Sequence, residues 1–207
     1  MLAGYTPTLL NEADELKQAA VAMVLRDRVD DLEMLFIRRA EHPRDPWSGH
    51  MAFPGGRVDP EDQDARSAAQ RETIEELSLD LESDGELLGR LSDLYAYGRG
   101  ERLSMFVQPY VFALHADPPL IANEEVSESL WIPMSFLADR SRRSMFEYTS
   151  HRTGETWQMP CYRYEGRLIW GLTFYMLDEF LELAVPSGAD PAHALDRRGP
   201  IRVQKSG

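Results

Sequence analysis

Three glutamates near the middle of the chain are the residues best suited to chemistry. Glu72, Glu75 and Glu76 stand at positions i, i+3 and i+4, and in a helix such positions share one face. Carboxylates this close repel one another by roughly a few tenths of a kcal/mol per pair, and a bound divalent cation relieves the repulsion. A site whose ligands are all oxygen atoms favours Mg²⁺ or Mn²⁺. The alternative is an ordinary solvated acidic face of a helix.

A glycine-rich segment, Phe53-Pro54-Gly55-Gly56, precedes the three glutamates. Consecutive glycines allow positive φ angles and let the backbone approach a ligand closely, so a carbonyl oxygen here can serve as a metal ligand. A plain turn after a strand is the alternative interpretation. The order of glycine loop, acidic loop and glutamate-bearing helix is more specific than any of its parts.

The segment from Gly55 to Leu79 resembles the Nudix box, G-x5-E-x7-R-E-U-x-E-E-x-G-U, in which U is an aliphatic residue. Six positions fit it: Gly56, Arg71, Glu72, Glu75, Glu76 and Leu79. The chain departs from it in four ways: Asp62 replaces the first Glu, the spacing from Asp62 to Arg71 is one residue longer, Thr73 takes an aliphatic position, and Ser78 stands where the box has Gly. The longer spacing is similar to that of the coenzyme A branch of the family.

The resemblance implies roles for these residues. Glu72 and Glu76 would bind the metal, Glu75 would be a third ligand or a bridge through water, and a carbonyl near Gly55 or Gly56 would complete the coordination. Arg71 would orient the acids through ion pairs with Asp62 or Glu75. The general base stays open between Glu75 and the loop residues Glu124 and Glu125, and for the loop pair simple exposure is the alternative.

A second resemblance concerns the substrate. Residues 39–56 are similar to the coenzyme A pyrophosphatase signature, roughly R-[SA]-x3-R-x3-G-x3-FPGG, in which Arg39, Ala40 and Arg44 match. The loop from Arg44 to Gly49 is one residue too long, through Asp45-Pro46-Trp47-Ser48, and residues 168–173 resemble an IWGxT stretch of the same branch. The implied reaction is metal-dependent hydrolysis of coenzyme A or its derivatives to 3′,5′-ADP and 4′-phosphopantetheine.

Several substrate questions stay open at this point. Arg39 and Arg44 could grip phosphate oxygens in a bidentate fork together with the loop at Gly55 and Gly56, or Arg39 could cap a strand and Arg44 be solvated. Trp47 could stack on adenine, although packing under the loop is favoured, and His50 is expected to be structural. The longer loop leaves ADP-ribose or another nucleotide as alternatives, and a binding or regulatory module without turnover as a third.

Composition narrows the class of protein further. The net charge of −13 and the pI of about 4.8 argue against nucleic-acid binding, because an acidic surface repels phosphate backbones. The single cysteine, Cys161, excludes an intramolecular disulfide. With no signal-like N-terminus and no apolar run of about 18 residues, a cytoplasmic protein that does not bind membranes is expected. Nudix enzymes are often dimers, so the resemblance also raises the expectation of a homodimer.

The elements that must position the acids follow from periodicity. Strands are predicted at 18–25, 33–38, 86–97, 104–114, 128–133, 144–149 and 158–164, helices at 65–78 and 171–184, and a helical turn at 133–139. The first two strands should form a hairpin, followed by an irregular loop over 40–50. This mixture predicts an α+β domain, and the resemblance implies a Nudix-type α/β/α sandwich with a mixed sheet and a catalytic loop-helix. The expected organisation is an N-terminal arm or helix (1–17), the Nudix domain (18–185) and a C-terminal tail (186–207).

Overall fold

Two long apolar strands form the centre of the larger sheet. The computed structural model describes residues 4–10, 16–43, 45, 47–98, 101–149, 154–184 and 201–202. In it, β1 (Lys17–Asp27) and β2 (Leu32–Arg39) pair antiparallel. This confirms the predicted hairpin. β1 also pairs in parallel with β7 (Glu101–Leu114), so the sheet is mixed, as expected.

The remaining strands of this sheet are shorter. They are β3 (Met51–Ala52), β4 (Gly55–Arg57), β5 (Gly85–Arg90), β6 (Leu94–Gly98) and β8 (Val126–Pro133). The strand order is β3-β2-β1-β7-β5, with β4 on β1, β6 on β7 and β8 on β2. The pairing of β4 with the central strand fixes the glycine loop against the middle of the sheet.

The prediction of one strand over residues 86–97 is wrong. The chain leaves the sheet at Leu91 and returns at Leu94. Between these points the N–H of Ser92 donates to Oε1 of Glu179 (3.1 Å), and the N–H of Asp93 donates to the carbonyl of Thr8 (3.0 Å). These partners lie far away in sequence, so local periodicity carried no sign of the break.

A second, smaller sheet follows β8. It contains β9 (Arg143–Thr149), β10 (Thr156–Tyr164), β11 (Arg167–Trp170) and β12 (Ile201–Arg202), with β10 pairing antiparallel with each of the other three. Strands were predicted near β9 and β10 but not at β11. Most of the predicted tail, 186–207, lies outside the described residues.

The two long helices cover opposite faces of the larger sheet. The helices are α1 (Ala65–Leu77), α2 (Met134–Ala138) and α3 (Gly171–Ala184), and a short 3-10 turn spans Arg140–Arg142. Alternate residues of β1 join different cores: Ala22 packs with α1 residues, whereas Met23 packs with α3 residues. This arrangement confirms the α/β/α sandwich. No helix in the described ranges is long and apolar enough to cross a membrane.

The N-terminal segment 4–10 contains no helix. The N–H of Thr8 donates to Oγ of Ser92 (3.1 Å), and the N–H of Leu10 donates to Oδ2 of Asp93 (3.0 Å). Tyr5 packs against the core and hydrogen-bonds to Glu179 of α3. These residues are therefore an extended arm tied to the domain, while residues 11–15 of the predicted arm or helix lie outside the described part of the chain.

Candidate active site

Helix α1, which carries the three glutamates, has well-defined ends. At its start, the carboxylate of Asp64 accepts the N–H of Ser67 (2.7 Å), and Oγ of Ser67 accepts the N–H of Asp64 (2.9 Å), a reciprocal capping box. The bond from Ser67 lowers the pKa of Asp64. At its end, Ser78 takes a left-handed conformation with φ 55° and ψ 30°. The position that the Nudix box gives to Gly thus keeps the backbone of a glycine, at a steric cost to serine.

Thr73 occupies the aliphatic position of the box and is fully buried. Its hydroxyl donates to the carbonyl of Ala69 at 2.7 Å, one turn earlier in α1. Because this bond satisfies the buried hydroxyl, threonine fills the apolar position without leaving an unpaired polar group.

Glu76 is the acid that the fold constrains most. Its side chain is 1% exposed, and Oε2 accepts the N–H of Gly55 at 2.9 Å. Burial raises the pKa of Glu76 to about 8, and the bond from Gly55 opposes this shift. A helix face holding three acids predicts no such difference between them, so the burial of Glu76 is a result of tertiary packing.

A side chain at either glycine of the loop would meet neighbouring atoms. Gly55 has φ +145°, and a Cβ there would lie 2.2 Å from the carbonyl oxygen of Ala20. A Cβ at Gly56 would lie 2.3 Å from Cδ of Glu72. The carboxyl group of Glu72 therefore rests directly against the glycine backbone, and burial raises its pKa while Arg71 opposes that shift.

Arg71 links the acidic loop to the helix. Its Nε and Nη2 each lie 3.0 Å from one carboxylate oxygen of Asp62, and its Nη1 lies 3.1 Å from Glu72 Oε1 and 3.2 Å from Glu75 Oε1. A further bond reaches the carbonyl of Arg57. The Asp62 side chain is 6% exposed, and the bond from Arg71 holds its pKa below the usual range. Both ion-pair partners named from the sequence, Asp62 and Glu75, are in contact with Arg71.

The loop before β8 brings a fourth acid towards the helix. The N–H of Asn123 donates to the carbonyl of Glu76 (3.0 Å), and the N–H of Glu125 donates to Oδ1 of Asn123 (2.8 Å). The carbonyl of Glu125 also accepts the N–H of Ala40 (2.7 Å). The charge of Glu125 adds to the effect of burial in raising the pKa of Glu72 and of Glu76. Glu125 and Glu124, the other candidate in this loop, are both exposed.

The donor set suits a divalent cation, although the side chains are not closed into a cage. In the described part of the chain, no three His, Cys, Asp or Glu side chains come together as a metal site. Glu76 is nevertheless buried and Glu72 partly buried, and burial raises the pKa of both carboxyl groups because it disfavours the charged form. A hard cation bound to carboxylate oxygens would stabilise that charged form. The residues therefore fit a divalent cation once the acids turn towards it.

The residues considered for substrate binding between Arg39 and His50 have different surroundings. Arg39 donates from Nε to Asp45 Oδ2 (2.8 Å), and its charge slightly lowers the pKa of Glu76, so it lies towards the acids. Arg44 falls outside the described residues. Trp47 packs against the core, and its Nε1 donates to the carbonyl of Tyr97 (2.9 Å), which confirms the packing interpretation. His50, whose pKa is lowered by burial, packs against the ring of Trp170.

Comparison with known proteins agrees with this geometry. The chain matches the NUDIX domain model over residues 16–152, and it belongs to that family. Its relatives include proteins named "Uncharacterized Nudix hydrolase NudL" from Yersinia pestis (strain Pestoides F) and Yersinia pseudotuberculosis (serotype O:1b, strain IP 31758). Each is 36% identical over 141 residues, which are 68% of this chain and 66% of the relative. The match thus spans slightly less than two thirds of the relatives' length.

The fold has counterparts among solved structures. A MutT/nudix family protein from Enterococcus faecalis aligns with a TM-score of 0.53 and 18% identity, covering 84% of this chain and 62% of that one. This similarity shows a shared fold.

Proposed function

We propose that this chain is a divalent-metal-dependent hydrolase that cuts a pyrophosphate linkage in a nucleoside diphosphate derivative, with coenzyme A or its derivatives as the preferred substrate. The observation that carries the proposal is the packing of the buried carboxyl group of Glu76 and the partly buried one of Glu72 directly against the backbone of Gly55 and Gly56. A purely structural acidic face would lie in solvent and would not incur the cost of burial.

In this proposal Glu72 and Glu76 hold Mg²⁺ or Mn²⁺, Glu75 is a third ligand or a bridge through water, and a carbonyl near Gly55 or Gly56 completes the coordination. When bound, the metal neutralises charge on the phosphate oxygens and lowers the pKa of a bound water. The 55% exposure of the Glu75 side chain supports its role, because an exposed side chain is free to turn from Arg71 towards a cation.

Arg71 is proposed as a positioning residue. It contacts Asp62, Glu72 and Glu75 simultaneously, so it fixes the relative orientation of the acids. The partly buried bidentate pair with Asp62 anchors the guanidinium, which supports the view that Asp62 takes the role of the first Glu of the box.

Glu125 is proposed as the general base that takes a proton from the attacking water, with Glu75 as the alternative. Three hydrogen bonds made by backbone or side-chain atoms of its loop tie Glu125 to the end of α1 and to Ala40. Its side chain is exposed, so it can accept a proton and release it to solvent. Glu75 is paired with Arg71 in the structure, so it is kept as the alternative.

The preference for coenzyme A rests on the arginines near the loop. Arg39 lies close enough to Glu76 to affect its pKa, where a guanidinium would bind phosphate oxygens of the substrate. Arg44 is proposed to share this role on the basis of its position in the signature. Water would attack one phosphorus of the pyrophosphate, and cleavage of the bridging P–O bond would give 3′,5′-ADP and 4′-phosphopantetheine.

A product assay tests the substrate assignment. Coenzyme A, ADP-ribose and a set of deoxynucleoside triphosphates are offered separately with Mg²⁺ and with Mn²⁺, and products are identified by chromatography and mass spectrometry. The proposal expects 3′,5′-ADP from coenzyme A at the highest kcat/KM. Turnover of another nucleotide but not of coenzyme A would retain the catalytic helix and refute the substrate. Tight nucleotide binding without turnover would instead indicate a binding or regulatory module.

A further inference from the structure

Four rings from three separate segments meet beside the loop that follows Arg39 and carries Asp45. The ring of Trp170, at the end of β11, lies 4.9 Å from His50, 5.0 Å from Phe146 and 5.1 Å from Tyr148, measured between centroids. These four residues are called the aromatic cluster below. All four are only partly buried, so the cluster keeps contact with solvent while packing on itself.

The smaller sheet presents this cluster on one face. Along β9, Phe146 and Tyr148 are partly buried and alternate with the exposed Met145 and Glu147, as expected where successive side chains point to opposite faces. Tyr148 also stands opposite Trp157 of β10, which is again partly buried. The face towards His50 is therefore rich in aromatic rings.

The aromatic cluster adjoins the acids through Arg39. The N–H of Arg39 donates to the carbonyl of His50 at 3.0 Å, so these two residues are direct neighbours. On its other side, Arg39 lies within electrostatic range of Glu76. In the other direction, two successive ring contacts lead from His50 through Trp170 to Tyr148. The carboxylates of α1, the guanidinium of Arg39 and the aromatic cluster thus follow one another. This is the order in which the phosphates and the base follow one another in a nucleotide.

We propose that the aromatic cluster is the subsite for the purine base of the substrate, with Tyr148 and Trp170 stacking on it while Arg39 contacts the phosphates. This proposal rests on the proposed function for the position of the phosphates. Aromatic side chains fit a planar base because stacking uses the π-face that every base has. A flexible aliphatic part of the substrate would bind equally well to aliphatic side chains, but such side chains do not predominate on this face.

Two probes without a phosphate anhydride test the subsite separately from catalysis. Adenosine 5′-monophosphate and ribose 5-phosphate differ only in the base, and neither has a pyrophosphate linkage to hydrolyse. Each probe is titrated into the protein in the presence of Mg²⁺, and calorimetry measures the two affinities. Because stacking of one base changes affinity by between about fivefold and a hundredfold, the wild type should bind adenosine 5′-monophosphate tighter by at least about fivefold.

Variants on the two faces of β9 locate the effect. Tyr148→Leu should reduce the preference for adenosine 5′-monophosphate by at least about fivefold and leave ribose 5-phosphate binding unchanged, whereas Tyr148→Phe should keep the preference. Met145→Ala, on the opposite and exposed face of the same strand, is the matched control and should change neither affinity. If Tyr148→Leu does not fold, as judged by circular dichroism and melting, Phe146→Leu takes its place.

Three results would overturn the proposal: equal binding of the two probes by the wild type, binding of neither, or a preference for adenosine 5′-monophosphate that survives in Tyr148→Leu. These outcomes are distinguishable from failure of the proposed function. A chain that shows the base preference but cleaves no pyrophosphate would retain the subsite and lose the hydrolase assignment. A chain that cleaves coenzyme A without the preference would do the opposite.

Discussion

Replacing Glu76 with glutamine should stabilise the protein when no metal is bound. Burial raises the pKa of Glu76 from its usual 4.5 to about 8, so between these two pH values the folded state holds a proton that the unfolded state releases. Stability therefore falls as the pH rises from about 4.5 to about 8, and levels off above that window. Glutamine does not titrate, so Glu76→Gln should remove this loss.

The size of the effect follows from the shift. Each pKa unit corresponds to about 1.4 kcal/mol, so wild-type protein at pH 7 should have lost about 3 kcal/mol to the burial of Glu76. A buried amide without a full set of partners costs about 1 kcal/mol. The net gain of about 2 kcal/mol should raise the melting temperature of Glu76→Gln by about 4–8 °C for a domain of this size. Divalent metal should reduce this difference in melting temperature between Glu76→Gln and the wild type, because it stabilises only the wild type.

The assay is thermal and urea denaturation at pH 5, 7 and 8, with EDTA or with Mn²⁺. Glu75→Gln is the matched control, because the Glu75 side chain is 55% exposed and its replacement should keep the fall in stability that the burial of Glu76 causes. The reasoning would be refuted if metal-free Glu76→Gln were less stable than the wild type at pH 8. Equal stabilisation of both proteins by Mn²⁺ would refute the ligand role of Glu76.

Three further substitutions test the loop and the ends of the helix. Gly56→Ala places a Cβ 2.3 Å from Cδ of Glu72; because that carboxyl can swing away, stability should change by less than about 1 kcal/mol while kcat/KM for coenzyme A falls about a hundredfold. Ser78→Gly relieves a left-handed serine, so urea denaturation should show a gain of about 1 kcal/mol with unchanged kcat. Asp62→Asn weakens the pair with Arg71, which lowers the pKa of Asp62. The stability that this pair contributes is present above the unfolded pKa near 3.8 and is lost as the pH falls through the lowered folded pKa. The variant should therefore lose about 1 kcal/mol at pH 7 and less at pH 2.

Each of these three expectations has a contrasting result. Gly55→Ala is the counterpart for the loop, because its Cβ would meet the backbone of Ala20; it should destabilise the fold, and a Gly56→Ala variant that is equally unstable would contradict the distinction. A less stable Ser78→Gly would show that serine makes a compensating contact. A loss in Asp62→Asn that is the same at pH 2 and pH 7 would exclude the ion pair as its cause.

Local sequence predicted the elements whose signals are local. The hairpin of β1 and β2 has two continuous apolar runs and a polar turn, and α1 has good helix formers bounded by Asp64 and Ser78. The spacing of Glu72, Glu75 and Glu76 was sufficient to place them on one helix. The break between β5 and β6 was missed because its partners, Thr8 and Glu179, lie about 85 residues away in either direction.

The sequence supplied the candidate residues of the site but not their environments. Sequence cannot distinguish Glu76, which is buried under Gly55, from Glu75, which faces solvent, because burial depends on where α1 crosses the sheet. The pairing of Arg39 with Asp45 also depends on how the longer loop folds. The sequence does not predict the aromatic cluster for the same reason, because His50, Phe146 and Trp170 come from distant segments and share no motif.

The most direct test of the central claim is the rate at which metal-depleted protein releases 3′,5′-ADP from coenzyme A when Mg²⁺ is restored, measured for the wild type and for Glu76→Gln. The proposed site predicts release by the wild type only with metal, and a rate at least about a hundredfold lower in Glu76→Gln. Equal rates in the two proteins, or release in EDTA, would contradict a reaction that depends on metal held by the acids of α1.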